Sequence, residues 1–247
     1  AGASSGIGLA CAAALGEAGA EVTLAARRVD VLEGLVAEMQ AAGMSAHSLP
    51  LDVADIARTQ DAIAGAGPYD VLVNSAGLAR HAPATDTTEE DFMRVVSINQ
   101  LGVFLGMQSV FETIRDNGGG SIINISSVSA TRSSPGSVAY GAAKAGLLSV
   151  TTSLAMEWAP DVRVNAIIVG LVKTEASEDH YGGVQGMKFL ANALPMKRMG
   201  APSDIAKACT FLADSENSYV SGAALEVFGG GEPPYFLKIA EEAAKMT

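Results

Sequence analysis

Two hydrophobic periods alternate along this chain: short continuous apolar runs, and longer stretches whose apolar positions recur every three or four residues. Residues 6–18 read as a helix of small residues ending at Gly19, and 22–26 as a short apolar strand. Asp30 is expected to cap the next helix with Glu33 at the capping-box position. Leu32, Leu35, Val36 and Met39 hold helical spacing there until Gly43. Residues 47–51 form a weaker strand pattern. Residues 70–73 form a stronger one, running into Asn74-Ser75-Ala76-Gly77. Thr87 with Glu90 opens a helix expected over 89–116, which the glycines at 118–120 break, and 121–125 is again a strand. A long helix is expected over 137–158, stopped by Pro160. Strands follow at 162–169 and 223–227, with an irregular region at 175–199 and a capped helix at 203–212 between them.

This alternation predicts an α/β fold: a doubly wound parallel sheet with helices on both faces. No repeat or linker divides it, so residues 1–247 read as one domain, carrying a substrate loop at 175–199 and a C-terminal extension at 232–247. The sequence opens directly on the loop Ala1-Gly2-Ala3-Ser4-Ser5-Gly6-Ile7-Gly8, so the strand this pattern expects first is missing from it. In such sheets ligands bind beyond the carboxyl ends of the strands. The loops at 2–8, 74–77, 126–127 and 170–174 are therefore expected around one crevice.

Composition fits this picture. Hydrophobic residues make up 49%, aromatics 5%, and there are 27 glycines, a mixture suited to thin helices lying close on a buried parallel sheet. The net charge of −11 argues against nucleic-acid binding, which needs a basic face; solubility explains the charge. Cys11 and Cys209 sit in apolar helical contexts and read as free buried thiols. His47, His81 and His180 have no ligand spacing, so no metal site is expected. No apolar run approaches the ~20 residues of a membrane helix, and no export or lipidation signal is visible. A cytoplasmic location without a membrane partner is the expectation.

Four features carry candidate chemistry. In Gly2-xxx-Gly6-x-Gly8, glycines ahead of a helix let backbone approach a pyrophosphate at the positive end of the helix, although a plain flexible loop reads the same way. After the next strand, Ala26 and Arg27 stand where an acid would hold ribose hydroxyls. An arginine there can pair with a 2′-phosphate and favours NADPH over NADH, unless Arg27 and Arg28 are simply solvated. Tyr140 and Lys144, at i and i+4, share a helix face. A neighbouring ammonium favours the ionised phenol and brings it toward acid–base work. Ser126-Ser127, at the end of the preceding strand, could offer a hydroxyl to a substrate oxygen, or could be an ordinary turn.

Together these residues resemble the short-chain dehydrogenase/reductase family, a Rossmann-type fold, from residue 1 to about 230. The TGxxxGxG loop matches at Gly2, Gly6 and Gly8, with Ala1 at the threonine position; NNAG matches at Asn74-Ser75-Ala76-Gly77, with Ser75 for an asparagine. YxxxK matches at Tyr140 and Lys144, and the PG segment at 169–174 has Val169 for proline. The resemblance implies a cofactor site of Gly2, Ser4, Ser5, Gly6, Ile7, Arg27, Asp52, Val53, Asn74, Ala76, Tyr140, Lys144, Val172 and Thr174. It implies catalysis by Asn99, Ser127, Tyr140 and Lys144: Ser127 and Tyr140 hold the carbonyl oxygen, and Tyr140 gives the proton. Lys144 lowers the phenol's pKa and binds ribose, while Asn99 holds a relay water. The implied activity is hydride transfer between NADP(H), with NAD(H) an alternative, and a ketone or secondary alcohol. A 3-oxoacyl thioester, a sterol or a polyol is open as substrate, and the implied assembly is a homotetramer or homodimer. A non-catalytic nucleotide sensor or scaffold would be expected to lack one of Ser127, Tyr140 and Lys144, and all are present.

Overall fold

The computed structural model describes residues 1–175, 177, 181–232 and 234–244. His180 and Pro233 lie outside them. Helices and strands alternate as α1 (Gly6–Glu17), β1 (Val22–Ala26), α2 (Val29–Ala41), β2 (Ala46–Pro50), α3 (Ile56–Gly65) and β3 (Val71–Asn74). There follow α4 (Glu89–Val96), a π-helical turn (Ser97–Leu101), α5 (Gly102–Asp116), β4 (Gly120–Ser127), α6 (Val138–Glu157) and β5 (Val162–Val169). The chain continues through α7 (Gly183–Ala193), α8 (Pro202–Ala213), β6 (Ala224–Val227) and α9 (Tyr235–Ala244).

Every strand pairing is parallel, in the orders β1-β2 and β3-β4-β5-β6. Ala1 and Gly2 bridge the two pieces. The backbone nitrogen of Ala1 donates to the Val73 carbonyl at 2.7 Å, Ser75 N–H donates to Ala1 O at 3.0 Å, and Gly2 N–H donates to Ala25 O at 2.8 Å. Strand residues send successive side chains to opposite faces, and here both faces are buried. Ile122, Val162 and Val164 pack with Val103, Met107, Val110 and Leu147 of α5 and α6. Ile123, Ile125, Ile167 and Val169 pack with Cys11 of α1 and Ile205, Cys209 and Leu212 of α8. Cys11 and Cys209 are free, buried and in contact with each other.

Several boundaries differ from the sequence reading for identifiable reasons. Helix α3 is unforeseen because its only large apolar residues are Ile56 and Ile63; Asp55 caps it by accepting from Arg58 N–H at 3.3 Å, and Ile63 anchors it in the core. Asp30 lies inside the first turn of α2 rather than at its cap, where its charge complements the helix dipole. Thr88, not Thr87, caps α4, because the Thr87 hydroxyl is engaged by the Pro83 carbonyl at 3.2 Å. The expected helix over 89–116 is interrupted by the π turn that carries Asn99. Within 175–199, residues 183–193 are helical.

One buried polar network pins the carboxyl ends of the central strands. Asn74 pairs with Asn124 in register, and its Nδ2 donates to Asn124 Oδ1 at 2.9 Å. Asn124 Nδ2 donates in turn to Thr151 Oγ1 of α6 at 3.0 Å. Asn124→Leu strands the buried donor of Asn74 and is expected to cost about 1–3 kcal/mol in urea unfolding. Adding Asn74→Val removes that donor and should recover part of the loss. A double variant no more stable than the single one contradicts the account.

Candidate active site

The loops at the carboxyl ends of the strands surround one crevice of about 1290 Å³, more than a drug-sized ligand needs and roomy enough for a dinucleotide plus a small substrate. Its floor explains the glycine spacing. Gly2 adopts φ +82°, and a Cβ there would stand 2.5 Å from Ala76 N; a Cβ on Gly8 would strike the Gly2 carbonyl. Only bare backbone lets these segments close on one another and leave the amino end of α1 facing the crevice. Gly6 N–H at that end donates to Glu175 Oε1 at 3.4 Å, a carboxylate where the helix favours an anion.

Gly2, Ser4, Ser5, Gly6, Ile7, Arg27, Asp52, Val53, Ala76, Val172 and Thr174 all line this crevice, as do Ser127, Tyr140 and Lys144. Arg27 is exposed at the rim; Arg28 reaches back across the loop, its Nη2 donating to Ser4 Oγ at 3.1 Å. Asp52 is steadied by Ala54 N–H at 3.1 Å and by the Thr59 hydroxyl of α3, which donates to its backbone carbonyl at 2.9 Å. In an acidic chain the walls are cationic: among the described residues, Arg27, Arg28, Arg94, Arg132 and Lys144 line the crevice against Asp52 and Glu175. Such segregation concentrates anions inside a cleft. The residues present fit a pyrophosphate-bearing dinucleotide: a loop stripped of Cβ atoms, a helix amino end and arginines at the rim.

Farther in, Ser127 ends β4 and Tyr140 begins the first turns of α6, which is rich in small residues and lies close on the sheet. The Ser127 hydroxyl favours the ionised form of the neighbouring Tyr140 phenol and accepts from Ser129 N–H at 3.2 Å. One turn later, Lys144 is buried, with Nζ donating to the Ile125 carbonyl at 2.8 Å and lying 5.7 Å from the centroid of the Tyr140 ring. Desolvation pulls the Lys144 ammonium down to about 8. The phenol of Tyr140 is raised above its usual value of 10.0, by burial first, against the opposing influence of Ser127, with Tyr181 raising it further. This departs from the expected tuning by Lys144. The lysine, fastened to Ile125, is not what dominates the phenol; burial is.

Asn74 and Asn99 stand behind the crevice wall rather than in it. The Asn74 amide turns inward to Asn124. Asn99 is fully buried, its Nδ2 donating to Leu78 O at 2.7 Å and Val95 O at 2.9 Å while Oδ1 accepts from Leu78 N–H at 3.2 Å. Its carboxamide therefore fixes the turn after β3. Three contributors were not foreseen. Arg28 braces the glycine loop. Ser177 holds the Val172–Thr174 turn, its Oγ accepting from Thr174 N–H at 2.7 Å and donating to Val172 O at 3.3 Å. Arg132 lines the same crevice. Each acts through a contact distant in the chain or in a loop without a motif; the adjacency of Arg28 to Arg27 was the one available signal.

The buried ammonium yields a signed prediction. Its folded pKa lies below the unfolded value, so between about pH 8 and 10.5 the unfolded chain binds more protons and stability rises with pH. At pH 7 the charge costs roughly 3 kcal/mol, partly offset by the bond to Ile125. Lys144→Met should abolish turnover yet raise stability at pH 7, and the gain should shrink as urea melts are repeated toward pH 10.5; a constant difference contradicts this.

A family model described as enoyl-(acyl carrier protein) reductase matches residues 2–231. D-threitol dehydrogenase of Mycolicibacterium smegmatis is 38% identical over 93% of this chain and 90% of its own length. Gluconate 5-dehydrogenase of Gluconobacter oxydans is 32% identical over 93% of this chain and 91% of its own. Among solved structures, a gluconate 5-dehydrogenase from Burkholderia cenocepacia in complex with NADP and tartrate superposes with a TM-score of 0.86 at 31% identity, covering 93% of this chain and 92% of that one. With the glycine-cradled crevice and the Ser127, Tyr140 and Lys144 cluster, these matches make the chain a member of the short-chain dehydrogenase/reductase family, NAD(P)-dependent oxidoreductases acting on CH–OH and C=O groups.

Proposed function

We propose that this chain interconverts a ketone and a secondary alcohol with NADP(H) in preference to NAD(H), using Ser127, Tyr140 and Lys144. The observation that carries the reading is the gathering of Ser127, Tyr140 and buried Lys144 in the crevice that the glycine loop also lines. When bound, the nicotinamide supplies or accepts the hydride. Ser127 offers its hydroxyl to the substrate oxygen, and Tyr140 gives that oxygen a proton in reduction or takes one in oxidation. Lys144 sets a fixed positive charge beneath them, where developing negative charge is stabilised. Asn99 serves as a positioning residue for the turn beside them.

Preference for the 2′-phosphate rests on Ala26 and Arg27, which give the rim of β1 a cation and no acid. The named relatives support secondary alcohols, polyols and sugar acids included, and the NADP held by one solved relative supports the cofactor. A 3-oxoacyl thioester shares the same reacting group; the substrate end of the crevice decides among these. The sensor or scaffold reading is disfavoured by the assembled catalytic cluster.

Tyr140→Phe is expected to abolish turnover while NADPH still binds in a fluorescence titration; substantial residual kcat sinks the role. Because burial keeps the phenol protonated at neutral pH, alcohol oxidation should accelerate as pH rises from 7 to 9.5. Ketone reduction should hold steady and then fall as Lys144 loses its proton near pH 8; parallel profiles for the two directions contradict this. Arg27→Asp should reverse the NADPH-over-NADH preference, shifting the Kd ratio by at least about tenfold. Tighter NADH than NADPH binding by the unaltered chain overturns the argument.

A further inference from the structure

Past Ser127 and Tyr140, away from the glycine loop, separate pieces of chain close the crevice. Arg132 comes from the loop between β4 and α6, and Tyr181 from the segment after β5; both line the wall. Glu232, from the segment after β6, grips Arg132 at two points. Nη1 lies 2.6 Å from Oε2, and Nη2 donates to Oε1 at 2.9 Å, across 100 residues of sequence. The fork is half-exposed. The Tyr181 side chain packs against the cluster of Met187, Leu194 and Met199. Its phenol lies within electrostatic reach of Glu232, Arg132 and Tyr140. Arg132, Tyr181 and Tyr140 thus line one crevice, with Glu232 fastened to Arg132.

The chemistry of this corner is specific. A guanidinium carries five N–H donors and the fork uses two, while each carboxylate oxygen keeps a lone pair. The pair is neutral overall and presents donors and acceptors side by side. Vicinal hydroxyls, each able to donate and accept, complete both halves. A substrate carboxylate would have to compete with Glu232 for Arg132 and would meet its charge. An apolar chain would bury the fork with its remaining groups unpaired, at the cost of their desolvation. The nearby hydroxyls of Ser129 and Ser133, which line the same wall, extend the polar surface.

We propose that Arg132 and Glu232, with Tyr181, select a small neutral polyol or its hydroxyketone by gripping the hydroxyls next to the reacting carbon. The proposal rests on the hydride-transfer reading above. It excludes acyl thioesters and sterols as preferred substrates and ranks aldonates below polyols.

The test compares D-threitol and erythritol, gluconate, and cyclopentanol as an alcohol without neighbouring hydroxyls, all with saturating NADP+. The polyols should give the highest kcat/KM. Arg132→Gln and Glu232→Gln should each lower the polyol-to-cyclopentanol ratio of kcat/KM about 10–100-fold, through KM, the size of a lost hydrogen bond to a charged group. Tyr181→Phe should move the ratio in the same direction. Equal losses on both alcohols assign the pair a purely structural role and overturn the proposal. So does a preference for gluconate that Arg132→Gln removes and Glu232→Gln enhances. Failure of NADPH to bind the unaltered chain overturns the hydride-transfer reading itself. Binding without oxidation of either polyol overturns the polyol assignment alone.

Discussion

The ammonium of Lys144, stripped of water and bonded to the Ile125 carbonyl, ties α6 to the end of β4. Around that one contact the rest of the reacting centre takes its place. Tyr140 lies one turn back on the same helix, and Ser127 lies two residues on along the same strand, so a single anchored helix–strand junction sets the distance between the two hydroxyls. Gly77 passes beside both Lys144 and Asn99, where a Cβ would stand 2.9 Å from Asn99 Oδ1. A charge buried at this cost is unfavourable for folding, and the sheet, helices and turn packed around it hold it in place. Stability is spent here on geometry.

Electrostatics in the crevice follow from burial more than from pairing. Desolvation pushes Lys144 down to about 8 and Tyr140 above its usual 10.0, so the two groups move apart in acidity and the ammonium gives up its proton before the phenol does. At the rim the arrangement is different. Arg28 is engaged by the glycine loop, and Arg132 is neutralised by Glu232. A chain of net charge −11 thus presents a cationic throat beside its glycine loop and a locally balanced corner at Arg132 and Glu232.

Much of this was legible in the residues. Period and punctuation placed the parallel strands: 22–26 and 162–169 coincide with β1 and β5, because buried strands are dense in apolar and β-branched residues, here broken only by Thr23, Arg163 and Asn165. Local spacing found Tyr140 and Lys144, and the glycine pattern found the cradle, because i, i+4 and close-approach constraints are written in neighbouring positions. Helix α3 escaped because its contribution is the Thr59 hydroxyl on the Asp52 carbonyl and one buried isoleucine, neither of which makes a periodic stripe. The inward turn of Asn74 depends on Asn124, fifty residues on, and the fork depends on residues 100 apart. Contacts of that range leave no mark in any window of sequence. Lys144 lines the crevice, while the rise of the Tyr140 phenol comes first from burial, which cannot be weighed before the walls are known.

The Asn74–Asn124–Thr151 network, described above as a pin across the strand ends, separates what can vary from what cannot. It locks two strands and α6 beneath the reacting groups, while Arg132, Tyr181 and Glu232 hang from segments outside it. Changes at those three positions touch none of the network's partners, so their effects on unfolding should add independently of it. Laboratory evolution of such a scaffold would therefore find new substrates at the rim with little loss of foldability, whereas a library aimed at the floor would mostly return unfolded chains.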